Sequence, residues 1–340
     1  MNELDSRLAA WNPVRAEDLF DAAAAAEADD LLNRLLAQQI SKPARHQSVA
    51  PWRRPIQAWI AAAAAAAIAA TAIGAAVLSP PDHRGAHAVR SEPPVIGFRQ
   101  GASQGLATSA IELVDYATRA AAMTPVFVPG PRDWEYFEVL YGRTNRAAGI
   151  GDAQTWQQVG TSRNASRWHH GKLTFGYGGG PGARLIGWPF DWTHVYQYLA
   201  SLPARPAALR TLILANNHHS TSRAFTAVGA LLSDFPLPAR FQAELYAVLI
   251  SLPGVHFSRH ATDAAGRHGV GLYIVQGGYL NVMIINPRTY VYMGGLAVAV
   301  RGHVSYQTLL TQPRPGAIAE DGAILASGIV ARAGQVPNHS

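Results

Sequence analysis

Trp134-Glu135-Tyr136-Phe137-Glu138-Val139-Leu140-Tyr141 breaks with the helical spacing of the residues before it and reads as a β-strand. Strand patterns return at 154–159 and 166–175, with turn residues between them, so three successive strands predict an antiparallel sheet. Upstream, 107–123 predicts a short helix whose apolar side carries Ile111, Leu113, Val114, Tyr116 and Ala117. Downstream, the glycine-rich run 176–182 ends the sheet pattern. Four proline-bounded stretches then predict short helices at 192–202, 205–213, 223–233 and 238–251. Strand patterns resume at 255–260, 269–275, 279–285, 291–300 and 323–330, with Asn286-Pro287-Arg288-Thr289 as a turn. Sheet, helices and sheet again define an α+β domain over 106–335, with the helices covering one face of a curved antiparallel sheet.

Before this domain lies a stretch of 23 residues, 56–78, without a charge, directly after Trp52-Arg53-Arg54. At about 1.5 Å per residue a helix of this length crosses a bilayer core of about 30 Å. Thirteen of its residues are alanine, which contributes little to insertion, so the drive falls on Ile56, Trp59, Ile60, Ile68, Ile73, Val77 and Leu78. A soluble Ala-rich helix would carry a polar stripe, whereas Gln57 and Thr71 are the only polar side chains here. Lys42, Arg45, Arg53 and Arg54 precede the span and only Arg84 and Arg90 follow closely, so the positive-inside bias places the N-terminus in the cytoplasm and the domain outside. A cleaved signal peptide would also show a hydrophobic core, but the 55 residues before this one are far longer than the usual n-region.

The organisation that follows is a leader over 1–55, a transmembrane helix over 56–78 and a Pro/Gly/Ser-rich linker over 79–105, ahead of the outer domain. In the leader, Asp29-Asp30 precede Leu31, Leu32, Leu35 and Leu36, which share one helix face. Such a face packs weakly on its own chain or on lipid, or docks a cytoplasmic regulator in a helix-in-groove manner. The absence of cysteine excludes disulfides, thiolate metal sites and cysteine nucleophiles. Residues 79–340 carry 21 basic and 14 acidic side chains, yet no Arg cluster interleaved with aromatics reaches the density of a phosphate-tracking surface, which argues against nucleic acid as a partner.

Catalytic motifs fare poorly. Gly101-Ala102-Ser103-Gln104-Gly105 has the spelling of a nucleophile elbow but lies in linker sequence without the core strand that motif needs. His256 and His260 read as strand residues roughly 13 Å apart at about 3.3 Å per residue, so they cannot share a metal as a helical pair would. Gly178-Gly179-Gly180-Pro181-Gly182 lacks the Gly-Lys-Ser/Thr ending of a phosphate loop. The outer acids Asp133, Glu135, Glu138, Asp152, Asp191, Asp234, Glu244 and Asp263 show no pairing along the chain for acid–base catalysis, although folding can assemble a pair. No catalytic, cofactor or metal residues are therefore assigned. The aromatics Trp134, Tyr136, Trp156 and Trp168 are either core or the lining of a groove for lipid or another hydrophobic ligand.

The chain also resembles a family of actinobacterial single-pass membrane proteins of unknown function. The resemblance is carried by Asn12-Pro13-Val14-Arg15-Ala16-Glu17-Asp18-Leu19 and Leu31-Leu32-Asn33-Arg34-Leu35-Leu36 in the leader, then by the Ala-rich span. It continues in the outer domain through Leu202-Pro203-Ala204-Arg205-Pro206-Ala207-Ala208-Leu209, residues 243–255, Thr262-Asp263-Ala264-Ala265-Gly266-Arg267-His268-Gly269-Val270-Gly271 and Ile285-Asn286-Pro287-Arg288-Thr289-Tyr290. It implies a leader like those beside extracytoplasmic-function sigma factors, and an outer domain like the half-barrels of lipoprotein carriers and sigma regulators. Asn286 stands where the family reads Asp, which keeps turn chemistry. The leader lacks the His and Cys pattern of zinc-containing anti-sigma domains. The expectation is a membrane-anchored, non-enzymatic protein with an extracytoplasmic sensing or binding domain that regulates a cytoplasmic sigma factor; the alternative is a binder of lipid or a cell-envelope ligand.

Overall fold

The aromatic run that opens the domain forms β1 (Trp134–Tyr141), the first of four strands that wind as a meander through β2 (Gly151–Gln158), β3 (Arg163–Trp168) and β4 (Thr174–Tyr177). A computed structural model of the chain describes residues 97–98, 104–141, 151–168, 171–177, 185–276, 278–300 and 318–337. The leader with Leu31, Leu32, Leu35 and Leu36, the span 56–78 and most of the linker lie outside the described residues. Among the described residues no helix is long and apolar enough to cross a membrane.

A second meander runs through β5 (His256–Thr262), β6 (His268–Gln276), β7 (Tyr279–Ile285) and β8 (Tyr292–Ala299). The last strand, β9 (Ile318–Val330), inserts between the two, pairing with β1 on one side and β8 on the other. The result is one open antiparallel sheet of nine strands in the order β4-β3-β2-β1-β9-β8-β7-β6-β5. Register shifts at Glu138/Val139, Ser258/Ala261, Ile284/Ile285 and Ala297/Val298 bend the strands locally.

Two differences from the sequence reading have local causes. The run 166–175, read as one strand, is split into β3 and β4. The Gly171 N–H donates to the Trp168 carbonyl at 2.8 Å, and a Cβ at Gly171 would sit 2.8 Å from that same oxygen. Only glycine tolerates this reversal. β9 also begins earlier than the expected 323, because Ile318 is held in the ladder by its pairing with Val298 on β8.

Helices occupy the expected stretches. α1 (Ala110–Ala122) starts at Ser109, whose Oγ accepts from the Glu112 N–H at 3.2 Å, while the Glu112 carboxylate accepts from the N–H and hydroxyl of Thr108. After a 3-10 turn at Trp192–His194 come α2 (Val195–Ser201), α3 (Pro206–Asn216), α4 (Thr221–Asp234) and α5 (Ala239–Ser251). Pro206 occupies the first turn of α3, where its missing N–H costs nothing, and Ser220 caps α4.

The helices share a core with one face of the sheet: Leu113 of α1, Phe225 and Leu231 of α4, and Tyr246 and Leu249 of α5 join Leu272, Met283, Ile285 and Ile329. Gly229 admits the Met283 methyl, since a Cβ there would lie 2.8 Å from it. The opposite face is also buried over β6 to β8, by a cluster containing Tyr273, Leu280, Val282, Ile284, Leu296 and Val298. β8 is buried along its whole length, which explains why it reads as an apolar run and not as an alternation. The expected turn after β7 is present: the Asn286 side chain accepts from the Arg288 and Thr289 N–H groups, both at 2.9 Å. Tyr290, held at φ 61°, then aims its hydroxyl at residues 104–105, accepting from the Gln104 N–H and donating to the Gly105 carbonyl.

Candidate functional site

The pleat of β1 sends Trp134 and Tyr136 to one face of the sheet and Glu135 to the other, beneath the helices. Glu135 is 3% exposed. Two side chains from different helices meet it there. Tyr196, in the first turn of α2, hydrogen-bonds the Glu135 carboxyl, and Asp234, the last residue of α4, adds its charge to the same pocket.

Burial pushes the Glu135 carboxyl up to about 8, the nearby Asp234 adding to the rise and the Tyr196 hydrogen bond opposing it. Burial likewise pushes Asp234 up to about 8. Its position at the C-terminal, negative end of α4 acts in the same direction. The Oδ2 atom of Asp234 is buried with no hydrogen-bond partner. Burial disfavours the charged form of each acid and so favours its protonated form. Tyr196 is held neutral by burial and by the Glu135 charge.

The Tyr196 hydroxyl also donates to the Pro236 carbonyl at 3.2 Å. A phenol has one hydrogen, so its two partners compete. With Glu135 protonated, the acid can donate to the phenol oxygen while the phenol keeps Pro236. With Glu135 ionised, the phenol hydrogen is drawn to the carboxylate and the Pro236 carbonyl loses its donor. Pro236 lies in the 235–238 connection from α4 to α5, so the Tyr196 hydroxyl ties Glu135 to the joint between these helices.

Of the four aromatics read as either core or groove lining, three pack as core. Trp134, Tyr136 and Trp156 form a buried cluster with Ala165 and Val330, closed by Ala333 and Val336. The Trp156 Nε1–H donates to the Gln335 carbonyl at 2.7 Å, and the Tyr136 and Trp156 rings are 5.2 Å apart. Arg167 lies over Trp156 at 5.3 Å, and Arg163 over Trp134 at 5.6 Å. Trp168 is not part of this cluster. It pairs with Ala153, one parity step from the Trp156–Ala165 pair, so it projects from the opposite face of the sheet and stacks on Tyr141 at 6.1 Å. The four therefore do not line one groove.

The remaining candidates are placed as follows. His256 stacks on Tyr273 within the sheet, and His218 and His219 form a left-handed turn after α3. Among the described residues no group of three His, Asp or Glu side chains could hold a metal ion. Ser103, His169, His170 and the 178–182 glycines lie outside the described residues. The acid pair was the missed feature. Its one sequence signal is an acid at an inward position of an apolar strand, Glu135 between Trp134 and Tyr136. Asp234 just before Phe235-Pro236 gives no such hint.

Comparison with protein-family models, with curated proteins and with solved structures returned no match.

Proposed function

We propose that this chain is a membrane-anchored, non-enzymatic sensing protein: a cytoplasmic leader over 1–55, one transmembrane helix over 56–78, and an extracytoplasmic domain whose curved sheet and helix cover respond to conditions outside. The observation that carries the sensing role is the buried Glu135–Tyr196–Asp234 cluster. Substrate turnover would need a large molecule to reach Glu135 and Tyr196, which are 3% and 6% exposed, whereas titration needs only a proton. A change of protonation would alter the α4–α5 connection, and the anchor would link that change to the leader. The output in this reading is a cytoplasmic sigma factor held by Leu31, Leu32, Leu35 and Leu36, as the resemblance in the leader implies.

The test is affinity recovery of sigma factors on the full-length protein in lipid nanodiscs, beside a variant with all four leucines changed to alanine. A specific sigma factor retained by the wild type and lost by the variant supports the proposal. Equal recovery by both, or recovery of non-specific material only, rejects the regulatory half. A ligand-binding role for Trp134, Tyr136 and Trp156 would require displacing residues 333–336, and no observation favours it over the sensing role.

A further inference from the structure

Seven large apolar side chains are exposed among the described residues, and five of them, Leu106, Ile111, Met123, Val126 and Val128, fall between residues 106 and 128. Single exposed apolar residues are ordinary on any surface; five within so short a segment are not. The segment Thr124-Pro125-Val126-Phe127-Val128-Pro129 carries no charge, and Val126 and Val128 are 65% and 56% exposed while Phe127 turns inward to the main core. Its outward positions are therefore the apolar ones, the reverse of a water-facing loop.

Local geometry gathers the group. The Gln104 side chain donates to the Met123 sulfur at 3.4 Å, although Gln104 precedes α1 and Met123 follows it. A Cβ at Gly105 would lie 3.2 Å from the Tyr116 ring. Residues 104–109 thus run back along the helix, with Gln104 at its C-terminal end and Gly105 beside its middle. This edge is rigidly tied to the body: Tyr290 clamps residues 104–105, the Ala107 N–H donates to the Pro287 carbonyl at 2.9 Å, and Leu113, Ala117 and Ala120 bury the inner side of α1.

The place of this edge in the chain names its occupant. Twenty-five residues separate the uncharged stretch 56–78 from Gln104, so the apolar edge is the part of the domain nearest in sequence to the span. Resting on the anchor reading given above, we propose that Leu106, Met123, Val126 and Val128 form a membrane-contact patch that seats the outer domain on the lipid surface, with these side chains in the acyl–headgroup boundary. A domain seated in this way would pass a change in its helix layer to the span through a fixed contact.

The absence of cysteine makes the test direct, because a single introduced thiol is the only one in the chain. Full-length variants Val126→Cys, Tyr177→Cys and Ile68→Cys, each carrying an environment-sensitive fluorophore, are reconstituted into vesicles of phosphatidylcholine and phosphatidylglycerol. Emission is then read against spin-labelled lipid and against aqueous iodide. Val126 and Tyr177 are both highly exposed, so neither change threatens folding. The expected result is that spin-labelled lipid quenches positions 68 and 126, and iodide quenches position 177. If iodide quenches position 126 as strongly as position 177 while position 68 is lipid-quenched, the anchor stands and the patch is overturned. If position 126 is shielded from both quenchers, a protein surface covers it and the lipid assignment is overturned. If position 68 escapes lipid quenching, the anchor reading fails and takes the patch with it.

Discussion

Glu135 has an ordinary value of 4.5 and is raised to about 8 when folded, so the folded chain binds this proton more tightly than the unfolded chain does. Stability contributed by the proton is complete below the unfolded value and is lost as pH rises towards about 8; Asp234 follows the same course from 3.8. Thermal melts between about pH 5 and about pH 9 should show the wild type losing stability toward the alkaline end. The Glu135→Gln variant should lose part of that slope, and the double change with Asp234→Asn most of it. An equally steep double variant would remove these acids from the response. A steric prediction belongs to Gly187, held at φ +76°, where a Cβ would lie 2.5 Å from the Ala227 methyl. Gly187→Ala should cost about 3 kcal/mol, from left-handed strain and overpacking together, measured by urea unfolding.

At the scale of elements, strands bounded by turn formers were legible and their facing partners were not. β1 and β7 fall where the aromatic and β-branched runs predict, because each run is flanked by residues that cannot continue a strand. The split between β3 and β4 escaped, because a single glycine reversal leaves the composition on either side unchanged. Register then decided the aromatics: pairing Trp156 with Ala165 commits Trp168 to the other face. The small cluster around Trp156 depends on the segment after β9. Deleting residues 331–340 should shift Trp fluorescence to the red and lower the melting temperature; unchanged emission would show that the segment does not cover Trp156. The hairpin between β5 and β6 offers a further test. The Asp263 carboxylate accepts from the Ala265 and Arg267 N–H groups and from Arg267 Nε, and Arg267 reaches the Ile324 carbonyl of β9 at 2.7 Å. Asp263→Ala leaves Arg267 without its anion and should cost about 3 kcal/mol by the same urea assay.

For the whole molecule, the joining strand is the organising fact. β9 closes the two meanders into one sheet, and α4, inserted between β4 and β5, reaches both: Gly229 admits Met283 of the second meander, and Asp234 lies near Glu135 of the first. Glu135 of the first meander then lies under α2 and α4. The anchored reading makes its own prediction at this scale: the full chain should fractionate with membranes, and protease added outside spheroplasts should cut the domain and spare the leader. A chain lacking residues 1–78 should be released to the soluble fraction. Recovery of the full chain in the soluble fraction would end the anchored reading.

The sequence by itself determined the α+β class, the order of strands and helices, and the uncharged stretch, because periodicity, turn residues and charge act over neighbouring positions. Tertiary structure alone decided that β9 lies between β1 and β8, that Trp168 parts from the other aromatics, and that Glu135, Tyr196 and Asp234 meet. These depend on strand register and helix docking, which unite residues far apart in the chain. A carboxyl that looks solvated and solitary in the sequence becomes a buried proton-holding group only when the core closes around it.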